Sequence, residues 1–130
     1  MTASILLVDD EPMVREELME ALEFEGFDVE AVGSVADALE ICATTAFDVI
    51  ITDLKMPKAG GLDLLAALKD MNHRPLTFVL SGHGAQSNRV EAMNLGALEC
   101  FSKPIDPDDL IEEIGKHLPA SPVDEQEDAA

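Results

Sequence analysis

The sequence predicts an α/β fold: a doubly wound sheet of five parallel strands with helices on both faces. Three observations predict it. Apolar runs of strand length alternate five times with segments of helical periodicity, as in repeated strand–helix units joined by right-handed crossovers. The third run, residues 48–53, is apolar without alternation, as a strand buried on both faces would be. And 130 residues, 47% of them hydrophobic, suffice for one core and one domain.

Taken in order, residues 4–8 form the first strand and run into Asp9-Asp10-Glu11. Pro12 then suits the first turn of a helix, where its missing N–H is no loss. Val14, Leu18, Ala21, Leu22 and Glu25 keep helical spacing, and Gly26 ends that helix. Residues 27–32 are the second strand. Ser34 is an N-cap for a helix that buries Val35, Ala38, Leu39 and Cys42. The third strand ends at Asp53 and opens into a Pro/Gly-rich loop that reaches Gly61; Leu64, Leu65 and Leu68 mark the next helix. Residues 76–80 are the fourth strand, ending at Ser81-Gly82-His83-Gly84. Val90, Met93 and Ala97 outline a weaker amphipathic helix, interrupted by Gly96. Residues 98–102 are the fifth strand, ending at Lys103-Pro104, and Leu110, Ile111, Ile114 and Leu118 line the last helix. Residues 119–130 carry four acids and little to bury, so a disordered tail is expected behind a folded domain of residues 1–118.

There are 8 basic and 27 acidic side chains, a formal net charge of −19. Such a surface repels phosphate backbones and anionic lipid, so no direct binding of nucleic acid or membrane is expected, while any cation site lies in a favourable field. Cys42 and Cys100 lack CxxC spacing and sit in apolar segments, as reduced core thiols of a cytoplasmic protein would. Nothing at the N-terminus resembles a signal peptide, and no apolar run approaches the roughly 20 residues that cross a bilayer.

In a parallel sheet the C-terminal ends of the strands share one edge, where ligands bind. Here those ends carry Asp9 and Asp10, Asp53, Ser81 and Lys103. The strand order 2-1-3-4-5 makes the first and third strands neighbours and gathers the three aspartates at the switch point. Crowded carboxylates raise one another's pKa unless a cation is present. Three aspartates and one lysine leave two negative charges, which a divalent ion cancels. Oxygen ligands favour Mg²⁺ over zinc, which prefers His or Cys. A Mg²⁺ ion, an exposed Asp, a hydroxyl and a lysine are what phosphoryl transfer onto a carboxylate requires. The Asp attacks, the cations neutralise oxygens of the moving group, and the hydroxyl hydrogen-bonds a third.

These residues resemble the receiver domain of bacterial two-component response regulators. The matching pieces are Val8-Asp9-Asp10-Glu11, Asp53-Leu54-Lys55-Met56-Pro57 with Gly61, Leu80-Ser81-Gly82, and Gly96-Ala97 followed by Lys103-Pro104. The spacings match too: 43 residues from Asp10 to Asp53, 28 on to Ser81, and 22 more to Lys103. The resemblance covers residues 4–118. It implies a flavodoxin-like fold with Asp53 as the phosphoacceptor. Asp10 would bind Mg²⁺ directly and Asp9 through water, with the backbone carbonyl of Lys55 as a further ligand. Ser81 would contact the phosphoryl group, Lys103 would pair with it, and the Lys103–Pro104 bond would be cis.

One position departs from the family. Three residues before the lysine the family usually has Tyr or Phe, whose ring rotates inward on activation; here stands Cys100. Phe101 has the opposite strand parity and cannot simply substitute. The change on activation is therefore expected after Ser81 and in the following helix, with the fifth strand nearly still.

The leading reading is a stand-alone receiver fed by a sensor histidine kinase or a histidine phosphotransfer protein. It would catalyse its own phosphorylation and dephosphorylation without being a classical enzyme, and switch binding to a downstream protein. A Mg²⁺-dependent phosphatase or hydrolase is the alternative. It would want a substrate pocket and often a second carboxylate two residues after the nucleophile, where Lys55 stands. A pseudo-receiver that only docks is the third, and the intact Asp9, Asp10, Asp53, Ser81 and Lys103 argue against it. Taken singly, each motif has a plainer role: Asp9 and Asp10 as helix caps, Ser81 to Gly84 as a turn. His83 reads as a loop residue beside the site, Lys55 as a solvated loop lysine, and His73 and His117 as surface residues at helix ends.

Overall fold

The computed structural model describes residues 3–56, 60–71, 74–82 and 86–118. Five strands, β1 (Ser4–Val8), β2 (Asp28–Val32), β3 (Val49–Asp53), β4 (Leu76–Ser81) and β5 (Glu99–Ser102), alternate with five helices. The helices are α1 (Pro12–Phe24), α2 (Val35–Cys42), α3 (Gly61–Leu68), α4 (Gln86–Asn94) and α5 (Pro107–His117). All strand pairs are parallel and the order is β2-β1-β3-β4-β5, the doubly wound topology expected. β4 runs on through Ser81, so that hydroxyl belongs to the last residue of a strand rather than the first of a loop.

Burial on both faces explains the unbroken apolar runs. Ile5 to Val8 and Val49 to Ile51 have no exposed surface, because helices cover the central strands from either side. Alternate residues go to opposite layers. Ile5, Leu7, Ile51, Phe78 and Leu80 meet Leu18 and Leu22 of α1 and Leu110 and Ile114 of α5. Leu6, Val8 and Ile50 meet Val35 and Ala38 of α2 and Leu64 and Leu68 of α3. Further along that second layer, Val79 and Cys100 meet Leu54, Leu65, Ala92 and Ala97. Each fully buried Leu or Ile side chain contributes about 1.5–3 kcal/mol of transfer free energy, so these layers fix the strand ends rigidly.

Ser34 caps α2 as expected, accepting a hydrogen bond from the Asp37 N–H at 3.1 Å. The fourth helix corrects the expectation. Val90 is 62% and Met93 39% exposed, and among the described side chains of α4 the one turned inward is Ala92. Gly96 does not interrupt this helix; it ends it. With φ at +112°, which side chains disfavour, Gly96 donates to the Met93 carbonyl while Ala97 donates to that of Ala92. Ala97 is therefore past the helix, buried on the way into β5. No helix among the described residues is long and apolar enough to cross a membrane. The tail expected at 119–130 lies outside the described residues.

Candidate functional site: an acid cluster held by one lysine

Strand register builds the site. Val8 pairs with Thr52, so Asp9 and Asp53 come next, side by side on neighbouring strands. Asp53 pairs with Leu80 and Ser81 with Ser102, which brings Ser81 and then Lys103 to the same edge. Backbone bonds lock these ends: Asp9 N–H to the Val32 carbonyl (3.1 Å), Leu54 N–H to Leu80 (2.9 Å) and Lys103 N–H to Ser81 (2.8 Å). Gly61 lets α3 start hard against β3, since a Cβ there would lie 2.5 Å from the Asp53 carbonyl oxygen. The Lys103–Pro104 bond is cis.

Lys103 is the hub. Its ammonium donates to Glu11 Oε1 at 2.8 Å and Asp53 Oδ2 at 2.9 Å, and lies 3.1 Å from Asp9 Oδ2. Asp9 is completely buried and Asp53 nearly so, whereas Asp10 faces solvent. Asp9 Oδ1 accepts the Glu11 N–H at 2.9 Å, and Asp53 Oδ1 accepts the Lys55 N–H at 3.3 Å. Asp9 Oδ2 is the exception. The nearby ammonium gives it an ion pair, but not in a hydrogen-bonding direction, so this buried oxygen has no hydrogen bond. Buried oxygens in that condition are uncommon and ask for a partner.

Burial pushes the Asp53 carboxyl above its ordinary pKa; Lys103 pulls it down without prevailing, and the charge of Asp9 adds to the rise. Burial also works against the charge of Lys103. There it is outweighed by Glu11, Asp53 and Asp9 together, so the ammonium holds its proton more tightly than an ordinary lysine. Among the described residues Lys103 has three anions to itself while Asp53 shares that cation with two others, and the two shifts differ in balance accordingly.

Asp9, Asp10 and Asp53 each offer a carboxylate oxygen, all within 4.8 Å of one another. Opposite ligands of an ion that binds oxygen at about 2.1 Å stand about 4.2 Å apart. The cluster thus has the span of one small cation. Asp9 Oδ2 is a ready acceptor for it, and an all-carboxylate donor set suits a hard divalent ion. The residues present fit such an ion.

Ser81 stands at the end of β4, buried, its Oγ 3.8 Å from the Cys100 thiol that donates to it. Cys100 packs in the layer of α3 and α4, while Phe101 points to the other layer against Phe78, as strand parity requires. Lys55 is exposed. His117 is exposed too, though its ring packs edge-on against Phe78 at 5.7 Å. His73, His83 and the rest of the loop to residue 85 lie outside the described residues. A cavity of about 460 Å³ between Cys42, Phe47, Leu68 and Met71 touches none of the site residues.

Two residues escaped the sequence reading. Glu11 was part of a motif without a role; its partner is 92 residues away, so nothing local announced it. Arg15 braces the site by donating to the Asp9 carbonyl at 2.7 Å. Its signal was there, as the single basic residue in the segment that forms α1.

Fold and site together define a signalling receiver: a doubly wound sheet carrying acids, a hydroxyl and a lysine at its switch-point edge. Residues 5–115 match the family described as the response regulator receiver domain, and the chain belongs to that family. It is 35% identical over 124 residues to the transcriptional regulatory protein FixJ of Rhizobium meliloti, covering 93% of this chain and 61% of that one. Over 119 residues it is 29% identical to sporulation initiation phosphotransferase F of Bacillus subtilis, covering 92% and 96%. The crystal structure of a response regulator receiver domain protein from Clostridium thermocellum is similar with a TM-score of 0.82 at 35% identity, covering 88% of this chain and 92% of that one. Several regulators extend well beyond the matched part: the chain spans 61% of FixJ and 23% of the response regulator PilR of Pseudomonas aeruginosa.

Proposed function

We propose that this chain is the phosphoacceptor of a two-component phosphorelay. Asp53 takes a phosphoryl group from a phosphohistidine on a sensor histidine kinase or a histidine phosphotransfer protein, and the modified form changes its binding to a downstream protein. The observation that carries this is the state of Asp53: a nearly buried carboxylate with one oxygen on Lys103 and the other on the Lys55 N–H, beside Asp9 and Asp10.

An Asp53 oxygen attacks phosphorus, and the new P–O bond forms as the P–N bond of the donor breaks. The electron pair of that bond stays with the imidazole, which leaves neutral when its other nitrogen carries a proton. Lys103 orients Asp53 beforehand and faces the transferred oxygens afterwards. Ser81, on the next strand end, donates to another oxygen. Asp9, Asp10, Asp53 and the backbone carbonyl of Lys55 would hold Mg²⁺, which when bound supplies positive charge against the phosphoryl oxygens. Loss of phosphate to water uses the same groups, so the protein promotes both directions itself. Residues 1–118 form this unit. The net charge of −19 supports a protein partner rather than nucleic acid or membrane, and two free cysteines support a cytoplasmic setting.

Incubation with acetyl phosphate and Mg²⁺, followed by the mass of the intact protein, tests the proposal. A phosphoprotein that accumulates and then decays is expected. Rapid release of phosphate without accumulation would favour a hydrolase, and no uptake at all a docking module.

A further inference from the structure

Glu11 occupies the position that caps α1, yet it makes no side-chain capping bond. Glutamate is a poor choice for that position, where Ser, Thr, Asp or Asn would satisfy a free helix N–H. Its side chain goes to Lys103 instead, and at 2.8 Å this is the shortest contact the ammonium makes. Its backbone is held as well, through the Glu11 N–H on Asp9 and the Arg15 N–H on the Glu11 carbonyl.

The ammonium gives two of its three N–H donors to Glu11 and Asp53 and stands in an ion pair with Asp9. A phosphoryl oxygen that comes to Lys103 competes for one cation with three carboxylates, and the contact most easily given up yields. Asp9 is buried at the end of β1 and cannot withdraw; Asp53 is the group being modified. Glu11 alone can leave, because its side chain is 57% exposed and water can receive it. We infer that Glu11 is the exchangeable counter-anion of Lys103, a positioning residue that holds the ammonium before phosphorylation and yields it to the phosphoryl oxygen. The inference rests on the phosphoacceptor reading of Asp53. Its consequence is that Glu11 sets how readily the site takes up a phosphoryl group, by competing for the Lys103 ammonium. A half-exposed ion pair is modest, so removing the competitor should matter by about two- to fivefold rather than by orders of magnitude.

Glu11→Gln keeps the shape and removes the charge. Two measurements are needed, one of them without metal. In the metal-free protein, the Lys103 side-chain ammonium followed by ¹⁵N NMR should shift and exchange its hydrogens faster in Glu11→Gln; an unchanged signal would overturn the pairing. With Mg²⁺ present, beryllofluoride should bind Glu11→Gln about two- to fivefold more tightly than wild type. The gain should vanish when both proteins also carry Lys103→Met. Equal affinities of wild type and Glu11→Gln would overturn the inference. So would a gain that persists without Lys103, since Glu11 would then act on the anion or the metal directly. If wild type binds no beryllofluoride while Glu11→Gln still perturbs Lys103, the phosphoacceptor reading falls and takes the exchange with it.

Discussion

Two helices begin beside the site, and they are built differently. α1 is 13 residues long, sends Leu18 and Leu22 into the core, and is tied to the strand ends at its first turn. Arg15 holds the Asp9 carbonyl, and Glu11 holds Lys103 with its side chain and Asp9 with its N–H. α4 is nine residues long, and among its described side chains it contributes Ala92 and leaves Val90 and Met93 facing out. Besides the packing of Ala92 on Cys100, its described tie to β5 is an Arg89–Glu99 pair at 3.5 Å with Arg89 mostly exposed, an arrangement that contributes little in water. The acid half of the site is clamped, and the side next to Ser81 is held loosely. A perturbation at the strand ends should therefore spread with least resistance through α4. The small thiol of Cys100, which packs against Ala92, fits that division.

The clamp can be broken at its hub. Lys103→Met leaves Asp9 and Asp53 buried without a counter-ion, and removing one partner of a buried pair typically costs about 3–5 kcal/mol. Denaturant unfolding of the metal-free protein should approach that loss, and Mg²⁺ should restore part of it. Unchanged stability would mean that the ammonium holds nothing together. The next contrast is between the helices themselves. Leu22→Ala should cost about 2–5 kcal/mol, Ala92→Gly about 1, and Val90→Ser at most about 0.5. Similar losses at Leu22 and Ala92 would erase the difference between a clamped and a loose side.

A smaller effect has the opposite sign. The raised Asp53 pKa means that its ionisation opposes folding in the metal-free protein. Below the ordinary carboxylate range both folded and unfolded forms carry a neutral Asp53, so Asp53→Asn should change little. As pH rises through the raised pKa, wild type loses stability that the amide keeps, and the variant becomes the more stable protein. Urea midpoints of both proteins between acid and neutral pH check this. A variant that is less stable at neutral pH would show that the bond to Lys103 outweighs burial.

Most of the fold was legible because its signals are local. Unbroken apolar runs announce strands covered on both faces, and acids and a lysine at their ends mark one edge. The spacing of Asp10, Asp53, Ser81 and Lys103 then carried the family. What failed was either weakly local or not local at all. Val90 and Met93 have the spacing of a buried face, but the helix has few apolar residues, and a glycine in sequence does not say whether it interrupts a helix or ends it. Glu11 found its partner only when β1 and β5 were folded to the same edge. Arg15 could have been noticed as a lone cation among acids, but the carbonyl it holds has no sequence signature.

The central claim is that Asp53 is the acceptor. Wild type and Asp53→Asn are incubated with acetyl phosphate and Mg²⁺, and the phosphate is located by mass spectrometry of the intact protein and its peptides, with hydroxylamine to release acyl phosphate. One hydroxylamine-sensitive phosphoryl group is expected on the peptide that contains Asp53 in wild type, and none on the folded variant. The same modification on Asp53→Asn, or at another residue of wild type, would contradict the account.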